Sequence, residues 1–102
     1  MNDRDYADIV KCSNFVIHEM QFYSFQDFID NAIGLRRLYQ KVLKDDNFLK
    51  IIQIYQWYVF ATPISYNRKC AIWEFLNMRM SYKELVGTKD HKRRYKKYKF
   101  DN

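Results

Sequence analysis

Side chains with catalytic potential are few in this chain, and their spacing argues against an active site. The two histidines are His18 and His91, and neither stands near a cysteine or a carboxylate pair at metal-ligand or triad spacing. His18 reads as a structural residue. Cys12 and Cys70 are too few and too far apart in the chain for a disulfide framework or a zinc site, so they read as two reduced thiols, half buried. The carboxylates pair as Asp27 with Asp30 and as Asp45 with Asp46. The first pair suits a helix's opening turn, where negative charge complements the macrodipole. The second suits a solvated turn. With only two glycines there is no phosphate-cradling loop, and no serine-nucleophile or zinc-protease motif occurs. These residues predict a non-enzymatic protein with no metal and no cofactor.

Binding chemistry is better represented. Residues 88–102 hold seven Lys and Arg against Asp90 and Asp101, a net charge of +5, whereas residues 1–87 hold eleven against ten, a net of +1. The sequence pI of about 9.3 is therefore a property of the C-terminal segment, and so is any attraction to an acidic partner. Within it, Lys92, Arg93, Arg94, Tyr95, Lys96, Lys97, Tyr98 and Lys99 interleave cations with aromatic rings. Cations neutralise phosphates and release counterions, and rings stack on exposed bases, so these eight residues are candidates for nucleic-acid contact. Trp57, Tyr58, Tyr66 and Trp73 form a second, aromatic candidate surface. A large aromatic where an internal counterpart is charged marks a contact surface, and Trp73 falls in register on Asp30.

That register is an offset of 43 residues. The inward positions of a helix over 24–43 are Phe25, Phe28, Ile29, Ala32, Leu35, Tyr39, Val42 and Leu43. At the offset stand Arg68, Ala71, Ile72, Phe75, Met78, Tyr82, Leu85 and Val86, seven of them apolar or aromatic. Tyr23 matches Tyr66 and Arg36 matches Arg79. The entry segments 14–21 and 57–64 are aromatic and β-branched and read as strands. Ser24 and Asn67 are the expected N-caps, and 45–47 and Gly87 the expected stops, the glycine suited to a left-handed cap. Residues 5–13 and 48–56 fit either a strand or a helix face.

The expected architecture is α+β: two copies of a strand–helix motif, about 7–46 and about 50–88, packed as a pseudo-twofold single domain over 1–88, with 89–102 as a basic tail. If both entry segments were helical, the fold would be an all-α bundle. A chain of 102 residues buries roughly two thirds of its unfolded surface, and 48% hydrophobic residues supply a core. The opening MNDRDYADIV is polar and acidic, unlike a secretory signal. The longest apolar run, near 51–64, is interrupted by Gln53 and Gln56 and is too short to span a membrane. A soluble intracellular protein is expected.

In the pseudo-twofold arrangement Arg36 and Arg79 would line a groove between the copies and receive a carboxylate or an extended peptide. Arg36, Trp57, Tyr58, Trp73 and Arg79 are thus the expected protein-binding residues, and the leading expectation is a protein–protein interaction module. The alternative is a nucleic-acid-binding accessory protein working through the tail. Abundant Lys, Asn, Ile, Phe and Tyr beside scarce Gly and Pro is similar to the small orphan accessory proteins of viruses. In its two-motif layout the chain resembles those of the filamentous viruses of hyperthermophilic archaea, although its many Asn and Gln run against a hyperthermophilic host. The resemblance implies an accessory role in an infected cell and carries over no functional residue.

Overall fold

A computed structural model describes residues 3–89. Along it, apolar side chains recur every three or four residues, and helices result. They are α1 (Asp3–Glu19), α2 (Phe25–Val42), α3 (Phe48–Ala61), α4 (Tyr66–Leu76) and α5 (Tyr82–Val86). The α+β expectation is overturned, because every regular element among the described residues is a helix. Segment 14–21 closes α1, and segment 57–64 completes α3 and the turn after it.

The reason lies in which period buries more. Cys12, Val16 and Met20 are buried along α1 at intervals of four, and Ile51, Tyr55 and Val59 do the same along α3. Each such side chain removed from water contributes about 1.5–3 kcal/mol. The intrinsic penalty of aromatic and β-branched residues in a helix is at most about 0.7 kcal/mol apiece. A one-sided helical stripe thus outweighs the strand preference of Trp57-Tyr58-Val59-Phe60.

Like helices stack on like. Asp8 of α1 pairs with Lys50 of α3 at 3.2 Å, and Phe22, just past α1, bonds Tyr58 farther along α3. The two helices therefore run parallel. On the other side Arg68 of α4 lies over the Phe25 ring of α2 at 4.7 Å, and Gln40 donates to the Leu76 carbonyl at 2.8 Å, so α2 and α4 are parallel as well. Two helical hairpins, α1–α2 and α3–α4, are laid one upon the other. The space between them is filled by Phe22, Phe28, Phe75 and Tyr55, which meet edge to face at centroid distances of 5.0 to 6.5 Å.

Local signals place the helix ends. Ser24 accepts from the Asp27 N–H at 3.0 Å as the N-cap of α2, and Asp27 itself accepts from the Tyr23 N–H at 2.8 Å. The N-cap of α4 is Ser65 rather than Asn67, which is buried. Seven of the eight inward positions expected in α2 are buried, and Leu43, at the C-cap, is exposed. The second copy's helix does not run through. It breaks after Leu76, where the Met78 and Arg79 N–H groups bond the Phe75 and Glu74 carbonyls and Met78 takes φ 63°. This is a Schellman stop. Met78 and Tyr82, expected inward, are exposed. Gly87 ends α5 in a right-handed conformation, not the left-handed one expected. Ser81 and Glu84 form a capping box that starts α5.

Candidate interaction surfaces

The structure divides the expected protein-binding residues among three places. Arg36 sits over the Phe75 ring at 4.3 Å, a cation–π contact at the edge of the core. Trp73 packs edge to face with Tyr39 and Tyr55, at 6.1 and 5.7 Å, and its indole N–H is buried with no acceptor among the described residues. Beside it Arg79 approaches Glu74 at 3.8 Å. Both side chains line a cavity of about 270 Å³ together with Tyr39, Phe60 and Asn77. Tyr39 donates to Asn77 Oδ1 at 3.1 Å there, and burial holds its phenol above the usual value. Arg36 does not line this cavity with Arg79, so the shared groove expected for the two arginines is not formed by them.

Trp57 and Tyr58 belong to a different face. They line an open groove of about 460 Å³ between α1 and α3, with Ile17, Ile54 and Ala61. Tyr58 is committed to Phe22 on both its lone-pair and hydroxyl sides and stacks on Tyr55 at 6.1 Å. Trp57 is 79% exposed and Ile17 47%. The sequence reading missed Ile17, Ile54 and Phe60. The signal was available in α3 itself, which has one charged residue, Lys50, in fourteen. Once 48–61 is wound as a helix, its outer face has no charge.

Titratable groups are dispersed. Among the described residues no three His, Cys, Asp or Glu side chains come together as a metal ion requires, and no helix is long and apolar enough to cross a membrane. His18 lies exposed in the last turn of α1. Cys12 and Cys70 are buried, and desolvation raises both thiols, which makes them poor nucleophiles at neutral pH.

The basic candidates Lys92, Arg93, Arg94, Tyr95, Lys96, Lys97, Tyr98 and Lys99, with His91, lie outside the described residues. The point from which they depart is well held. Thr88 is 3% exposed and its hydroxyl donates to the Glu84 carbonyl at 3.0 Å. The Asn67 side-chain amide, buried at the start of α4, donates to the Lys89 carbonyl. Arg68 and Lys69 follow Asn67 directly, but their charged ends are held on the body, Arg68 over the Phe25 ring at 4.7 Å and Lys69 donating to the Phe60 carbonyl at 2.6 Å. Compared with protein-family models, with curated proteins and with solved structures, the chain matches none.

Proposed function

We propose that this is a non-enzymatic nucleic-acid-binding accessory protein, whose helical body anchors the basic, tyrosine-containing segment 89–102. The observation that carries the reading is the separation of charge: +5 over residues 88–102 against +1 over the remainder. The anchor is consistent with it, since Asn67 and Thr88 tie the segment's root to the body. The cations supply sequence-independent attraction to phosphates, and Tyr95 and Tyr98 supply faces for unpaired bases. Capture of a protein partner through Trp73 and Arg79 has less behind it. Trp73 is packed on Tyr39 and Tyr55, and Arg79 has Glu74 beside it.

The test is equilibrium binding of fluorescent single- and double-stranded oligonucleotides across a salt series. With roughly five to seven phosphate contacts, affinity falls about 10³-fold between about 50 and 200 mM salt. Replacing Lys92, Arg93, Arg94, Lys96, Lys97 and Lys99 by Gln should abolish binding. Replacing Tyr95 and Tyr98 by Ala should weaken single strands selectively, by about 1–3 kcal/mol per lost stack. Binding by the six-fold Gln variant equal to that of the parent refutes the reading, as does the parent's failure to bind at low salt.

A further inference from the structure

The cavity of about 270 Å³ beside α4 combines aromatic walls with polar groups that the core does not use. Tyr66, Cys70, Trp73 and Asn77 follow one another at intervals of three and four and form one wall. Phe60 of α3 lines it too and is 52% exposed, so its ring is open to a ligand. Gln56, one turn earlier on α3, makes no side-chain hydrogen bond among the described residues, so its amide keeps donors and an acceptor. Arg79 reaches the cavity because the chain turns back after Leu76. The left-handed Met78 lets the Arg79 N–H bond the Glu74 carbonyl at 2.8 Å. The Arg79 side chain is 69% exposed and meets the Glu74 carboxylate only at 3.8 Å, which leaves guanidinium N–H groups for an anion. Lys69 adds a second positive charge nearby, its ammonium 5.8 Å from the centroid of the Phe60 ring.

We propose that this cavity is a subsite for one unpaired nucleotide of a bound single strand, with the base among Phe60, Tyr66 and Trp73 and its phosphate on Arg79. The subsite rests on the nucleic-acid reading above and adds to it a place on the body where a base is held. Size admits one, since about 150 Å³ is enough for a benzene ring. Aromatic walls accept any flat ring, but a hydrocarbon would leave Gln56, Asn77 and Glu74 desolvated without partners. A nucleobase carries donors and acceptors around its edge, which amides and a carboxylate can pair. Its phosphate then meets the side where two cations, Arg79 and Lys69, stand against one carboxylate, Glu74. Position agrees with chemistry. Tyr66 opens the α4 wall of the cavity, and the next residue, Asn67, holds the root of the basic segment through the Lys89 carbonyl.

The test follows the indole N–H signal of Trp73 in nitrogen–proton correlation spectra of the full chain. Only two tryptophans are present, and Trp57→Phe, at an exposed position, tells their signals apart. A short single strand should shift the Trp73 signal saturably, and a duplex should bind without moving it, because its bases are paired. Nucleoside monophosphates should shift it with a dissociation constant of about 1 mM or tighter, and ribose 5-phosphate should not. Phe60→Ala should weaken a nucleoside and its monophosphate alike, by about fivefold or more. Arg79→Gln should weaken the monophosphate several-fold and leave the nucleoside unchanged. The variant with six Gln in the basic segment should bind monophosphates as the parent does while losing oligonucleotides, so failure of the segment and failure of the cavity give different results. A single strand that saturates the protein with the Trp73 signal unmoved overturns the subsite. So does an equal response to duplex or to ribose 5-phosphate, or monophosphate binding that neither Phe60→Ala nor Arg79→Gln weakens.

Discussion

The Tyr58 hydroxyl clasps Phe22 from both sides, accepting from its N–H at 3.1 Å and donating to its carbonyl at 2.8 Å. Phe22 lies in the turn between α1 and α2, where its backbone groups have no helical partner. One side chain of the second hairpin therefore completes the turn of the first. Its neighbour Tyr55 is the opposite case: wholly buried, with a hydroxyl that meets no partner among the described residues.

Removing the two hydroxyls should therefore have opposite signs. Tyr58→Phe leaves two backbone groups unsatisfied and should cost about 1–3 kcal/mol, whereas Tyr55→Phe deletes an unpaired polar atom and should be neutral or stabilising by about 1 kcal/mol. Urea denaturation of the two variants checks this. Equal destabilisation by both would show that the Tyr58 clasp contributes nothing of its own.

Met78 and Leu35 occupy the same place in the 43-residue register and should also respond in opposite directions. Met78 is 62% exposed at φ 63°, a left-handed conformation that strains a side chain and suits glycine. Met78→Gly should stabilise by about 0.5–1 kcal/mol. Leu35 is buried in the unbroken α2, so Leu35→Ala should cost about 2–5 kcal/mol. Thermal midpoints measure both, and a loss of stability in Met78→Gly would contradict the strain at the α4 stop.

Alkaline pH should unfold the protein through its buried acids. Burial is the main cause that raises Cys12 and Cys70 above their ordinary 9.0, and Tyr39 and Tyr55 above 10.0. The native state then holds these protons more tightly than the unfolded chain. Their contribution is complete below pH 9 and is lost as pH rises through the raised values. Denaturant midpoints should fall steadily from about pH 9 upward. Native Cys12 and Cys70 should react far more slowly with a thiol reagent than in denaturant. Rapid labelling of both in the native state would contradict their burial.

The legible part of the sequence was what one helix decides by itself. The α2 stripe from Phe25 to Val42 and the Ser24 cap follow from periodicity and capping, which act within a few residues, whereas the helix ends with Leu43 as its C-cap, short of the expected 45–47. The absence of a recognisable catalytic motif and the placement of charge in 88–102 were equally plain in the residues alone. The 43-residue register also pairs Cys12 with Tyr55 and Val16 with Val59, all four of which are buried.

What tertiary structure alone decided was the identity of the entry segments and the use of each aromatic. Residues 14–21 and 57–64 have strand-like composition, but α1 and α3 each bury a four-residue stripe against the other, and neither stripe pays until its partner is present. The same pairing separates two tryptophans that look alike in the sequence. Trp73 packs, partly buried, against Tyr39 and Tyr55, while Trp57 stands on the outer edge of α3. Which ring meets protein and which meets solvent depends on where the neighbouring helix lies, and that is set by packing between residues about forty apart in the chain.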